Sequence, residues 1–387
     1  MASEITEPQG TVDGVAARPR VEWLDGVRGA AAFYVVLHHT WLLSFRGFPD
    51  NAGPGWTGWM TYGHLAVAVF IVVSGFSLSL APVARGYRLK EGTLGFIRRR
   101  FWRIVPPFWA ALALASILVW AGLIPTPSGE PLAWRDVLVH ALILHDTIGN
   151  VSPNGVFWSI AVEWHIYFLF PLILLAARRW GSAVAGTLVA GAVLAQHLAA
   201  PFVPLAAFFD RFTPQFLALF VAGVFAVALA RDSRASRWAG IAGALGWAAF
   251  PVLAASVGAR AVVANFFWVD LWIGLCTAGL FAAMAAGHLR PLRWVLASRP
   301  LRSLGTFAFS LYLVHAPMLE LVRGVGESVW GFDHAQTFAF LLVVGVPVAV
   351  AASFGFYVVF EKVFVTARSL SAVIDAVRPS RRQPEAA

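Results

Sequence analysis

Ten long apolar segments set the strongest limit on how this chain can fold. They lie at 27–45, 63–83, 104–123, 156–177, 182–200, 214–230, 238–257, 262–286, 303–322 and 337–360. A helix needs about 20 mostly apolar residues to cross the hydrocarbon core of a bilayer. Because helices satisfy their own backbone hydrogen bonds in lipid, we predict an all-α polytopic membrane protein with about ten transmembrane helices.

The composition agrees with lipid as the main solvent of the folded chain. Apolar residues make up 59% of the 387 positions and charged residues 13%, whereas typical soluble chains have about 45–50% and about 25%. A soluble protein is therefore excluded. The single cysteine, Cys276, permits neither an intramolecular disulfide nor a thiolate metal cluster, and we predict no metal and no bound cofactor.

The basic residues predict how the chain is oriented. Lys and Arg accumulate in cytoplasmic loops, and alternating the loops between ten helices puts 24 of the 29 basic residues on the side of both termini. We therefore predict cytoplasmic tails at 1–20 and 366–387 around a membrane domain at 21–365. The net charge of +9 is then mainly a topology signal, which excludes nucleic acid as a partner. The excess of Arg over Lys is typical of a GC-rich bacterium, so we expect the bacterial inner membrane.

Titratable side chains occur at membrane depth, where they are costly and by default mark a functional interior. At a rise of 1.5 Å per residue, His39, Glu163 and His315 lie about 16, 20 and 18 Å above the cytoplasmic ends of their spans. Asp270 falls in the outer half. A neighbouring helix that satisfies the polar group would explain any one of them, but four at similar depth favour a site.

A histidine and a carboxylate at one depth predict general-base chemistry. A carboxylate that accepts one ring N–H fixes the tautomer and leaves the other nitrogen to take a proton from a hydroxyl. We predict that His39 is this base and Glu163 its orienter; a transient acyl group on His39 is compatible with the same residues. Four further residues are candidates for contacts to an acceptor or to the reacting carbonyl: Tyr167, Tyr312, His315 and Asp270.

Arginines directly precede the third apolar segment. Arg100 and Arg103 are three residues apart, so on a helix their planar guanidinium groups share a face and suit phosphate oxygens. The simpler interpretation is that these arginines only anchor the cytoplasmic end of the third segment, as the positive-inside rule predicts. A phosphate-rich cytoplasmic donor such as a coenzyme A thioester fits the pair, and so does an anionic lipid headgroup.

Four motifs follow one another along most of the chain: LDGVRGAAA at 24–32 leading to His39, VVSGF at 72–76 with RFWRIVP at 100–106, WSIAVE at 158–163, and FSLYLVHAP at 309–317. Together they resemble the acyltransferase-3 family of integral membrane O-acyltransferases. The chain departs from the usual pattern at Ala68, where many members have Asp, and at Trp164, where a second Glu is usual.

The resemblance implies transfer of an acyl group, commonly acetyl, from cytoplasmic acyl-CoA to a hydroxyl of a sugar or sugar-bearing compound, such as an exopolysaccharide, a glycolipid or a secondary metabolite. It implies essential roles for His39 and Glu163, and donor binding by Arg28, Arg100 and Arg103. The alternative is a multi-pass transporter of a glycosylated compound with an intramembrane proton relay, against which stands the lack of a visible internal repeat. A scaffold with structural polar residues is the third interpretation.

Overall fold

The computed structural model describes residues 21–50 and 53–366, and every regular element among them is a helix, which confirms the all-α prediction for this part of the chain. The predicted tail 1–20 lies outside the described residues, as does all but the first residue of the tail predicted at 366–387. Ten helices form the bundle: α1 (Glu22–Ser44), α2 (Leu65–Ala84), α3 (Gly92–Trp120), α4 (Trp158–Trp180), α5 (Ser182–Ala199), α6 (Gln215–Leu229), α7 (Ser233–Val257), α8 (Phe266–Ala285), α9 (Ala308–Trp330) and α10 (His334–Val365).

Short helices lie in the connections: a 3₁₀ helix at Gly55–Tyr62, and α-helices at Trp134–Ala141, Pro204–Asp210, Ala259–Ala264, Arg290–Leu296 and Arg299–Thr306. The ends of the long helices follow local chemistry. Asp232 caps α7, because its Oδ1 accepts from the backbone N–H groups of Arg234 and Ala235 at 3.0 and 2.9 Å. Gly331 ends α9 with φ of 62°, the left-handed conformation that glycine adopts without steric cost.

The described helices confirm a polytopic membrane protein. Seven are long and apolar enough to span a bilayer, and up to nine are if each of two bent helix pairs counts as one span. The bends measure 61° before α6 and 78° before α9. The predicted segment 27–45 is helical, within α1, but does not qualify by composition, because this helix carries acidic and basic residues in its first turns and two histidines in its middle.

The helices differ in how much lipid they meet. In the span that includes α2, 67% of the most apolar window is buried inside the protein, compared with 11% in α5 and 22% in α7. Helices α5 and α7 are therefore peripheral and face the bilayer. The interior, where polar side chains can be satisfied without lipid contact, is lined mainly by the other helices.

Glycines allow the central helices to approach closely. A Cβ atom on Gly75 would stand 2.0 Å from the carbonyl oxygen of Phe220, and one on Gly223 would stand 2.4 Å from that of Val72. Small residues at such crossings let membrane helices pack backbone to backbone. The glycine of the VVSGF motif thus fixes the distance between α2 and α6, and with it the position of its neighbour Ser74.

Helix α10 contains two π-helical segments, Leu341–Gly345 and Tyr357–Glu361. Segments of this kind inside α-helices often occur at functional sites. The second one ends at Glu361, which is buried and accepts hydrogen bonds from the backbone N–H and the Oγ of Ser310 at 3.1 and 2.5 Å. These bonds tie α10 to the first turn of α9.

Candidate active site

Two of the predicted site residues, His39 on α1 and His315 on α9, are in direct contact. His315 Nε2 lies 3.2 Å from His39 Nδ1. The Nδ1 atom of each ring also lies 2.9 Å from the carbonyl oxygen four residues earlier in its helix, that of Val35 and that of Leu311. His315 is fully buried, whereas His39 is partly exposed.

These contacts fix the tautomer of both neutral rings. A carbonyl oxygen can only accept a hydrogen bond, so each Nδ1 carries the proton. His315 Nε2 is then an acceptor and shares the Nδ1–H of His39 with the Val35 carbonyl. His39 Nε2 keeps its lone pair, makes no hydrogen bond to a described residue and belongs to a partly exposed side chain. This histidine pair therefore presents one open basic nitrogen.

Glu163 lies in a different contact from the one expected. Its Oε1 accepts hydrogen bonds from the hydroxyl of Ser74, at 2.8 Å, and from that of Tyr167. No hydrogen bond between Glu163 and His39 occurs among the described residues, and the orienting position beside His39 belongs to His315. The bond between Glu163 and His39 that the residue depths predicted is thus replaced by bonds to Ser74 and Tyr167, because the Glu163 carboxylate on α4 is directed towards α2.

Tyr167 connects this carboxylate to the predicted donor-binding residues. The guanidinium carbon of Arg100 lies 5.9 Å from the ring centroids of both Tyr167 and Phe96, within cation–π range. The Nε atom of Arg100 is buried and has no hydrogen-bond partner. An unpaired buried donor is costly, so this N–H is suited to an anionic ligand oxygen.

Arg28, Arg100 and Arg103 are here called the arginine group, because Arg103 lies close enough to repel both Arg28 and Arg100. Arg28 donates to Asp25 at 3.0 Å. Arg103 is exposed and makes no hydrogen bond or ion pair with any described residue. The structure thus brings the three predicted arginines together and leaves guanidinium donors unused, as a phosphate site requires.

The remaining candidates are held in other contacts. The Tyr312 hydroxyl donates to the Val156 carbonyl at 3.0 Å and lies 2.6 Å from Ser159 Oγ, so it is already engaged. Asp270 is fully buried and bonds to His64 and Gln215. The residue depths predicted one site formed by His39, Glu163, Asp270 and His315. The structure instead divides these residues into three groups of contacts: the histidine pair, the contacts of Glu163 and the contacts of Asp270.

Several polar residues of these contacts were not predicted from the sequence: Ser74, Ser310, Glu361, His64 and Gln215. Ser74 lies in the VVSGF motif. Its hydroxyl is uncharged, so Ser74 did not stand out as an ionisable group at membrane depth. His64 and Gln215 lie at helix starts, where polar residues usually indicate only the membrane surface. Glu361 follows directly after the last apolar segment, at a position where acidic residues are expected in solvent.

A family model for an acyltransferase domain, Acyl_transf_3, matches residues 21–358. The chain belongs to the acyltransferase-3 family. The resemblance inferred from the four motifs is thereby confirmed, and the match extends from the start of α1 into the second π-helical segment of α10. All residues of the histidine pair and the arginine group lie within it.

Named relatives in this family differ in how much of their length the chain covers. Acyltransferase MdmB of Streptomyces mycarofaciens is 29% identical over 319 residues, which is 76% of this chain and 78% of that protein. Nodulation protein 10 of Rhizobium leguminosarum bv. viciae is 27% identical over 192 residues, 45% of the chain and 50% of that protein. Peptidoglycan O-acetyltransferase OatA of Listeria monocytogenes is 24% identical over 175 residues, 42% of the chain and 26% of that protein. No solved structure matches the chain.

Proposed function

We propose that this protein is a membrane O-acyltransferase of the bacterial inner membrane. It moves an acyl group, most simply acetyl, from cytoplasmic acyl-CoA to a hydroxyl of a sugar or sugar-bearing compound. The observation that carries the proposal is the open Nε2 of His39, whose tautomer is set by Val35 and His315. A histidine that offers a lone pair inside a membrane domain is suited to take a proton from a hydroxyl.

The donor binds at the arginine group. Its phosphates accept hydrogen bonds from Arg103, which makes no hydrogen bond or ion pair with a described residue, and from the buried Nε of Arg100. Arg28 is held by Asp25 and completes the group. Glu163 acts as a positioning residue, because it holds Tyr167, over whose ring the Arg100 guanidinium lies.

The chemical step needs one base and one proton return. The acceptor hydroxyl gives its proton to His39 Nε2 while its oxygen attacks the thioester carbonyl carbon. The new C–O bond forms, the C–S bond breaks, and the protonated Nε2 returns the proton to the departing sulfur. The products are an ester and free coenzyme A. The bond from His39 Nδ1 to His315 Nε2 strengthens while His39 is charged.

Labelled acetyl transfer tests this proposal. Membranes containing the protein are given radiolabelled acetyl-CoA and an extract of cells that lack the gene, which holds the unmodified acceptor. We expect the wild type to label the extract, and His39→Ala to lower the rate by about 10²–10⁴-fold, the usual contribution of a general base. The control is His288→Ala, whose side chain is partly exposed and contacts Ser233.

Activity of His39→Ala near that of the wild type would contradict the base assignment. Sealed vesicles that move a glycosylated compound without consuming acyl-CoA would favour the transporter instead. The name of OatA supports an acetyl group and a glycan acceptor. Mass spectrometry of glycan and small-molecule extracts, with and without the gene, identifies the acceptor by the acyl mass that is lost.

A further inference from the structure

A second buried histidine contact has no part in the reaction proposed above. His64 Nε2 lies 3.0 Å from Asp270 Oδ2, and Gln215 Nε2 donates to the same oxygen at 3.2 Å. Asp270 is fully buried, and its Oδ1 has no hydrogen-bond partner. His64 precedes α2 and Asp270 is in the second turn of α8, so this outer pair lies in the outer half of the bundle under the predicted orientation.

Two aromatic rings stack on the imidazole ring of His64. The Phe266 ring is 4.1 Å away at an interplanar angle of 15°, and the Trp158 ring is 5.5 Å away at 8°. The side chain is 19% exposed, and its Nδ1 makes no hydrogen bond to a described residue and is not enclosed. Because a carboxylate accepts, Nε2 carries the proton, and Nδ1 is an open acceptor.

The outer pair adjoins the histidine pair. A Cβ atom on Gly63, next to His64, would stand 2.2 Å from the ring of His38. The His38 ring in turn packs against the His39 ring at 5.0 Å between centroids. His38 is not available to a ligand in the same way, because it is buried and its Nδ1 lies 2.7 Å from the Met60 carbonyl.

We propose that His64 is an acceptor-binding residue that recognises a second hydroxyl of the compound being acylated. One hydroxyl of the acceptor meets His39 Nε2, and another donates to His64 Nδ1, which Asp270 holds in the accepting tautomer. The outer pair then selects polyhydroxylated acceptors, such as sugars, over simple alcohols. This inference rests on the proposed function and names the acceptor side of the same site.

Two substitutions separate binding from structural support. Glutamine places an amide near the position of histidine Nε2, so His64→Gln keeps a donor for Asp270 but removes Nδ1. Asparagine reaches only the position of Nδ1, so His64→Asn keeps a polar atom there but loses the contact to Asp270. The matched control is His197→Asn, because His197 also pairs with an aspartate, Asp210, through its Nδ1 at 2.9 Å and stacks on a phenylalanine, so that asparagine keeps the contact to the aspartate.

The experiment varies the amount of extract from gene-deleted cells, which contains the acceptor, and measures the rate of transfer from radiolabelled acetyl-CoA. We expect His64→Gln to need about tenfold more extract for half-saturation, as for one lost hydrogen bond, with the KM for acetyl-CoA unchanged. His197→Asn should match the wild type. Wild-type half-saturation in His64→Gln, with a defect only in His64→Asn, would overturn the inference and leave a structural pair. Absence of any transfer by the wild type would instead reject the proposed function.

Discussion

The histidine pair in the middle of the bundle and the arginine group beneath it satisfy their polar atoms in opposite ways. In the pair, backbone carbonyls and the second ring occupy the nitrogens until only His39 Nε2 is open. In the arginine group, Arg103 makes no hydrogen bond or ion pair with a described residue, and a buried N–H of Arg100 is unpaired. A site with one open atom suits a single proton transfer, whereas unused donors suit a ligand with many oxygens. Substitutions in the two regions should therefore change different kinetic constants.

The largest effect on kcat beyond that of His39 itself is expected at His315. His315→Ala removes the acceptor of the His39 Nδ1–H, so the base loses part of its orientation and kcat should fall about 10–100-fold. The KM for acyl-CoA should stay unchanged. Initial rates of coenzyme A release at saturating acyl-CoA measure this.

His315→Gln is the control, because its amide oxygen can accept from His39 and should restore part of kcat. If His315→Ala retained wild-type kcat, the tautomer argument would fail. If it raised the KM for acyl-CoA instead, the two regions would not be separable by function.

Arg103→Ala should give the opposite pattern. Loss of a charge-assisted hydrogen bond to phosphate is worth about 1.5–3 kcal/mol, so the KM for acyl-CoA should rise at least tenfold, as expected for about 1.4 kcal/mol per factor of ten, while kcat changes little. Arg98→Ala is the matched control, since Arg98 is also exposed on α3 and has no described partner. Equal kinetics of the two variants would indicate that the arginines before the third apolar segment only set the orientation of the chain in the membrane.

Ser74 tests the contacts between the two regions. Ser74→Ala removes one hydrogen bond to Glu163, worth about 1 kcal/mol, and loosens the support of Arg100 through Tyr167. We expect a few-fold rise in the KM for acyl-CoA and no change in kcat. The control is Ser79→Ala, because Ser79 is buried on the same helix and, among the described residues, bonds only to the Gly75 carbonyl. A fall in kcat would instead indicate that Glu163 supports the base, His39, and not the donor-binding arginines.

A second pair of histidines, His140 and His145 in the outer connection, should change neither constant. Burial lowers the pKa of His140 to about 4 from 6.5 and also lowers the pKa of His145, whose ring stacks on it at 4.3 Å. Since the folded pKa lies below the unfolded one, the unfolded chain binds more protons between these values. Stability from this pair is complete above pH 6.5 and declines as the pH falls towards 4.

The check is the Tm of the purified protein at pH 7 and at pH 5. We expect a lower Tm at pH 5, and His140→Gln should reduce the difference. His288→Gln, which changes a partly exposed histidine, should not. A difference that His140→Gln leaves unaltered would show that other groups cause it.

The sequence predicts the helices well and their rotations poorly. Each predicted apolar segment coincides with a long helix, because lipid selects apolar residues locally along the chain. Depth also places His39 and His315 at one level. Which side chain turns towards which neighbour depends on packing between distant segments, such as Gly29 against Leu301, where an added Cβ would stand 2.1 Å from a carbonyl oxygen. No local pattern contains that information, so depth alone placed Glu163 beside His39, whereas its carboxylate bonds to Ser74 and Tyr167.

The π-helical turn at Tyr357–Glu361 also bears on how this helix tolerates insertions and deletions. A π-turn holds one residue more than the equivalent α-helical stretch, and each residue of an α-helix advances the helix by about 100°. Removing one residue there would restore regular winding and keep the flanking faces aligned, whereas removing one residue from the regular helix before it would rotate the following side chains by that angle. Glu361 would then leave Ser310, and the first turn of α9 would lose the acceptor of two hydrogen bonds. The length of this segment, as much as its composition, is therefore under structural constraint.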